Sequence, residues 1–112
     1  MEIDEQTHGE VRVLRPLGPL TREDAAQFRD RALAVAASSL GRVVVDASSM
    51  AYVDSSGLEV LADLAEALAA GGRSLKLAGV NETMLEILDI TNQSELYDLY
   101  EDVNPAVRSF LS

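Results

Sequence analysis

The side chains best suited to chemistry are concentrated in Asp54-Ser55-Ser56-Gly57-Leu58, between a Val-rich run ending at Asp46 and a long apolar–acidic periodic stretch. Ser56 and Glu59 have the S-x-x-E spacing of a capping box, with Asp54 and Ser55 as the other candidate N-caps. In each arrangement a hydroxyl lies near unbonded N–H groups and the positive end of a helix dipole. A phosphate on that hydroxyl can be held by those amides. It would also bring about −1.5 to −2 charges beside Asp54 and Glu59. The plain alternative is a tight turn and a helix cap, which Asp and Ser commonly make. Spacing alone does not single out a modification site.

Other chemistries find less support. Ser56 as a catalytic nucleophile needs a base, and the single histidine, His8, falls in the apparent turn Thr7-His8-Gly9-Glu10. Gly57 belongs to no phosphate-cradling glycine pattern. With no cysteine there is no disulfide framework, zinc knuckle or thiol nucleophile. The Asp and Glu residues are scattered along helix faces, as a solvated surface requires, and not gathered as metal ligands. Asp46, at the end of a Val-rich strand, invites comparison with the phosphoacceptor of a receiver domain. That chemistry needs an acidic pair after the first parallel strand and a lysine after the last. Arg15-Pro16-Leu17-Gly18 offers no acidic pair, and the only lysine, Lys76, lies inside a strand-like run. The expectation is a chain that is no enzyme and holds no cofactor or metal.

The elements that position this segment follow from periodicity and punctuation. Ile3 to Gln6 and Val11 to Leu14 read as a hairpin around the turn at Thr7 to Glu10, before Pro16, Gly18 and Pro19 break the chain. Thr21 is a good N-cap, with Glu23 and Asp24 in the first turn behind it. Ala25, Phe28, Ala32, Val35 and Ala36 recur at helical spacing, so a helix is expected over Arg22 to Ser38, closed by Gly41. Arg42 to Asp46 suits a central strand covered on both faces. A second helix begins within the Asp54 to Gly57 segment and stops at Gly71-Gly72. Its polar stripe is Ser56, Glu59, Asp63 and Glu66; its apolar side is Leu58, Leu61, Ala62, Ala65 and Leu68. Leu75 to Ala78 makes a further strand, and Asn81 caps a third helix whose Met84, Leu85 and Leu88 are most simply core. Asn92 suits a left-handed helix end. Leu96 to Tyr100 is a last strand, and Asn104-Pro105 opens a short final helix with Asn as cap and Pro at the first helical position. Such alternation implies an α/β fold with a mostly parallel sheet, an antiparallel N-terminal hairpin and about four helices, as one domain over residues 1–112.

Composition narrows the partners. Lys+Arg 9 against Asp+Glu 19 gives a net charge of −10 over 112 residues, which disfavours nucleic-acid backbones and anionic lipid and favours a cationic protein surface. Hydrophobic residues at 47% and charged residues at 25% are ordinary for a globular domain. No apolar run approaches the ~20 residues that span a bilayer, and the N-terminus does not resemble a signal peptide, so no membrane insertion and a cytoplasmic location are expected.

The run from Val43 through Asp46 and Tyr52 to Asp54-Ser55-Ser56-Gly57-Leu58 resembles the signature of the STAS domain family, closest to the bacterial anti-sigma factor antagonists. The resemblance extends to Gly18–Arg29, Leu75–Ala78 and Met84–Asn92. It implies a binding protein that engages an anti-sigma factor, itself a serine kinase, and so frees a sigma factor for transcription. It further implies that the kinase switches binding off by phosphorylating Ser56, the serine directly before Gly57, and that a serine phosphatase restores it. ATP would belong to the partner. By the same resemblance Asp54 and Ser55 shape the loop and contact the kinase, and the partner surface comprises Thr21, Asp54, Ser55, Ser56, Gly57, Glu59, Val60 and Asp63. Val60 and Leu64 add apolar contact there if the helix exposes them, and are core if it does not. Many antagonists have Asp at the position of Thr21, and Gly-Leu where this chain has Asn92-Gln93. STAS domains also serve as constitutive interaction modules in stress-sensing and lipid-transport assemblies, which is the alternative function; Ser56 would then be only a cap.

Overall fold

The computed structural model describes residues 1–111. Strands β1 (Ile3–His8) and β2 (Val11–Pro16) form an antiparallel hairpin, and β3 (Val43–Asp46), β4 (Leu75–Ala78) and β5 (Tyr97–Tyr100) add in parallel, giving the sheet order β1-β2-β3-β4-β5. Helices α1 (Arg22–Ser38), α2 (Ser55–Ala70) and α3 (Glu82–Ile90) fill the three crossovers, and α4 (Val103–Ser109) ends the described chain. Consecutive right-handed crossovers moving one way across a sheet put their helices on the same face. Strand alternation matches that placement. Leu14, Val43, Val45, Leu75 and Leu77 point into the core under α1, α2 and α3, where Phe28, Leu61, Leu64, Met84 and Leu88 meet them. Val11, Val13, Val44 and Ala78 point the other way, against Ala106 and Val107 of α4. A sheet covered on both faces explains why β3 reads as an unbroken Val run.

Helix α1 buries Ala25, Phe28, Ala32 and Val35, the residues whose spacing predicts it. Its middle is tied to the hairpin by Glu5, which accepts hydrogen bonds from Arg31 at 2.8 Å and Arg12 at 2.9 Å. Those guanidinium bonds, Arg31's first, hold the Glu5 carboxyl below its ordinary range despite partial desolvation. Lys76 is nearly buried in the middle of β4, on the α4 face. Its Nζ lies 3.2 Å from Asp98 Oδ2 and 4.8 Å from the centre of the Phe110 ring, so a paired charge and an aromatic face accommodate it.

Several boundaries differ from the sequence expectation. Both hairpin strands run two residues further: β1 to His8, because the turn closes tightly at Gly9 with φ 65°, and β2 to Pro16, because the ladder continues to its pairing with Ile3. Leu40, not only Gly41, takes a left-handed conformation (φ 56° and 79°) as the chain leaves α1. Asn92 has φ 57°, as its type suggests, and a short 3-10 turn at Ser94–Leu96 follows it. Helix α4 starts earlier than Asn104-Pro105 indicates: Asp102 is at the N-cap position and Pro105 in the first turn, where a missing N–H costs nothing.

Candidate partner-docking site

The chain enters α1 and α2 side by side. Leu20 and Val53 form an isolated parallel bridge, in which the Leu20 N–H donates to the Tyr52 carbonyl and the Asp54 N–H to the Leu20 carbonyl, each at 3.2 Å. Asp54 is the N-cap of α2, which settles the choice the sequence left open among Asp54, Ser55 and Ser56. Its Oδ1 accepts from the Gly57 N–H at 2.9 Å, while Oδ2 accepts from the Arg22 N–H at 2.9 Å. One carboxylate thus caps α2 and also satisfies the first amide of α1. Thr21 stands at the N-cap position of α1 but makes no side-chain capping bond, because Asp54 supplies the acceptor from across the bridge. The bonds from Gly57 and then Arg22 hold the Asp54 carboxyl below the ordinary aspartate range.

Gly57 is where the two segments touch most closely. A Cβ there would overlap the Leu20 carbonyl oxygen and the Val53 side chain, so only glycine lets the first turn of α2 lie against the strand-like approach to α1. Ser55 is exposed and Ser56 half-buried, at the first and second positions of α2. No side-chain hydrogen bond among the described residues uses the Ser56 hydroxyl. Glu59, Asp63 and Glu66 continue from it as an exposed acidic stripe.

The expected partner surface needs correction. Val60 is 5% exposed, so it is core and presents no apolar contact to a partner, and Leu64, at 2%, takes the core place that was one of its two readings. Helix α2 packs against both α1 and β4, which widens its buried face to take in Val60, Leu61, Leu64 and Leu68 together. Gly57 is buried too, and so acts by permitting the close approach. A residue the sequence reading passed over is Tyr52, 53% exposed, whose carbonyl anchors the bridge to Leu20. An aromatic side chain in a polar loop two residues before the motif was the available signal.

The double cap makes a titration prediction. A carboxyl whose folded pKa is depressed adds stability that is complete above its unfolded value, about 3.9 for Asp, and lost as pH falls through the lower folded value. Asp54→Ala should therefore lower Tm at pH 7 by roughly 5 °C or more. The gap to the parent protein should close as pH drops below about 4. Thr21→Ala, which removes no capping bond, should leave Tm nearly unchanged. Melting curves between neutral and strongly acid pH check this; a gap independent of pH would show that the carboxylate charge is not what caps the helices.

Three comparisons bear on this geometry. The sequence profile of the STAS domain family matches residues 2–106. A comparison with curated proteins finds no match. Among solved structures, a candidate anti-sigma factor antagonist from Thermotoga maritima is similar at TM-score 0.91 and 19% identity, over 98% of this chain and 95% of that one. The anti-sigma factor antagonist SpoIIAA, a Bacillus cell fate determinant, is similar in its unphosphorylated form at TM-score 0.74 and 16% identity, over 99% of both chains. Its phosphorylated form matches at the same TM-score and identity, over 97% of this chain and 99% of that one. The murine anion transporter Slc26a9 contains the same fold, at TM-score 0.73 and 17% identity, over 94% of this chain and 18% of the transporter. At these identities the structural likeness establishes the fold. No helix among the described residues is long and apolar enough to cross a membrane. With the profile running from the first strand into the last helix, over the same strands and helices the solved antagonists share, this chain belongs to the STAS domain family.

Proposed function

We propose that the protein is an anti-sigma factor antagonist, a binding module that engages an anti-sigma factor serine kinase and is switched off by phosphorylation of Ser56. The observation that carries this is the placement of Ser56. Its half-buried hydroxyl sits in the first turn of α2, beside a carboxylate that already occupies the Gly57 and Arg22 amides. A phosphoryl group there finds those amides taken and adds like charge next to Asp54. It stands at the head of the acidic stripe, where a partner with a cationic rim would dock. Thr21, Asp54, Ser55, Glu59 and Asp63 contribute the rest of the surface, with Tyr52 as its aromatic anchor. ATP is bound by the partner, a serine phosphatase restores the free hydroxyl, and the cycle runs in the cytoplasm.

A second reading is a constitutive adaptor in a larger assembly, favoured by the recurrence of the fold inside an anion transporter. Site-resolved mass spectrometry of the protein from its own cells, stressed and unstressed, separates the two when co-purifying proteins are recovered. The switch predicts phosphate at Ser56 that falls as an anti-sigma kinase co-purifies. No phosphate in either condition, with a stable sensor or transport complex recovered, would overturn it.

A further inference from the structure

We propose that the outer edge of β5 and the adjoining face of α3 form a second docking surface, one that takes an extended basic–apolar segment of another protein as a sixth strand. Strand β5 ends the sheet, and no strand among the described residues pairs with its far side. The Tyr100 carbonyl accepts from the Gly79 N–H, so Tyr100 and Asp98 direct their backbone groups to β4. The alternate residues, Tyr97 and Leu99, then direct theirs outward. Beside this edge lies a groove of about 430 Å³, between Leu85, Glu86 and Asp89 of α3 and Leu99 of β5. Leu85 and Leu99 are exposed in it; Leu85, expected in the core with Met84 and Leu88, faces out of α3 on the side away from them.

Charge selects the occupant. Seven of the nineteen acidic residues and none of the nine basic ones fall between positions 81 and 102. A second copy of this chain would bring the same seven acids against the first, so self-pairing at β5 is disfavoured. The opposite edge differs. On β1, Asp4 and Glu5 are neutralised by Arg15, Arg12 and Arg31, which leaves charged side chains of both signs along the strand, a common guard against pairing. Strand β5 carries one charge, Asp98, and no such mixture of signs. An added strand places alternate side chains on opposite faces. Its apolar ones would meet Leu85 and Leu99, and its Lys or Arg ones would lie on the side of Asp98, which is half-exposed and shares only Lys76. Strand addition gains main-chain hydrogen bonds at the edge and specificity from alternate side chains.

The test uses the whole protein, labelled for NMR, and a synthetic nine-residue peptide alternating Lys and Val. Saturable binding is expected, with shifts centred on Tyr97, Leu99 and Leu85 and slowed amide exchange at Leu99. The variant Asp98→Asn, on the face that meets the peptide's lysines, should weaken it by about fivefold or more. A central proline in the peptide should abolish it, since proline removes a ladder donor. Shifts spread without saturation over the acidic face of α2, or equal affinity for the proline peptide, would overturn strand addition. Concentration-dependent dimers that protect the Leu99 amide without peptide would replace the proposed occupant with a second copy.

Discussion

Ser56→Asp is expected to lose at least about 100-fold in affinity for the anti-sigma factor kinase, while Ser56→Ala binds as the parent protein does but accepts no phosphate. The asymmetry follows from where the hydroxyl lies. Removing it deletes no hydrogen bond among the described residues, and alanine is a good helix former at an early helical position. Introducing a carboxylate is different, because Asp54 already occupies the Gly57 and Arg22 amides. The new charge must be desolvated against the partner beside the Asp54 carboxylate, and a like charge stands one turn away at Glu59. Juxtaposed like charges and unpaired buried charges each cost several kcal/mol at an interface, and about 2.7 kcal/mol is a hundredfold. Calorimetric titration of the two variants against the purified kinase measures it. Equal affinities would remove the switch and leave the constitutive adaptor. Tighter binding by Ser56→Asp would mean that the partner offers a cationic pocket at this spot.

How much of this was legible beforehand depends on the range of the interactions involved. Helix α1 was readable because Ala25, Phe28, Ala32 and Val35 report their own periodicity, and Asn92 because a residue's tolerance of left-handed backbone is local. The doubly covered sheet showed in Val43–Val45 for the same reason. The double cap was not readable. It joins Asp54 to an amide 32 residues earlier, and no spacing rule links the two. The burial of Val60 and Leu64 was also hidden, since one periodic pattern fits a helix touching one neighbour or two, and only the packing of α2 between α1 and β4 decides. Tyr52 went unnoticed because exposure is a property of the assembled loop. The motif therefore pointed to the turn that opens α2, while the reason for its residue types lay in the segment around Leu20.

Gly57→Ala should destabilise the fold by about 3 kcal/mol, a large loss for a change of one methyl group. The Cβ would collide with the Leu20 carbonyl and the Val53 side chain, and backbone cannot step aside as the end of a flexible side chain can. Relief requires α2 to lift its first turn, which opens the Leu20–Val53 bridge and pulls Asp54 off the Arg22 amide. Stability and partner binding should then fall together, unlike Ser56→Asp, which should leave the unfolding midpoint near that of the parent because its side chain is half-exposed. Paired urea titrations and affinity measurements on the two variants distinguish a residue that builds the surface from one that gates it. Truncating the collision partner gives a further control. Val53→Ala alone leaves a cavity, but combined with Gly57→Ala it vacates part of the space the new methyl needs, so the double variant should be more stable than the sum of the two losses indicates. Strict additivity would mean that the Leu20 carbonyl alone sets the penalty, and the surface would then depend on the approach of α1 to α2 at that single backbone atom.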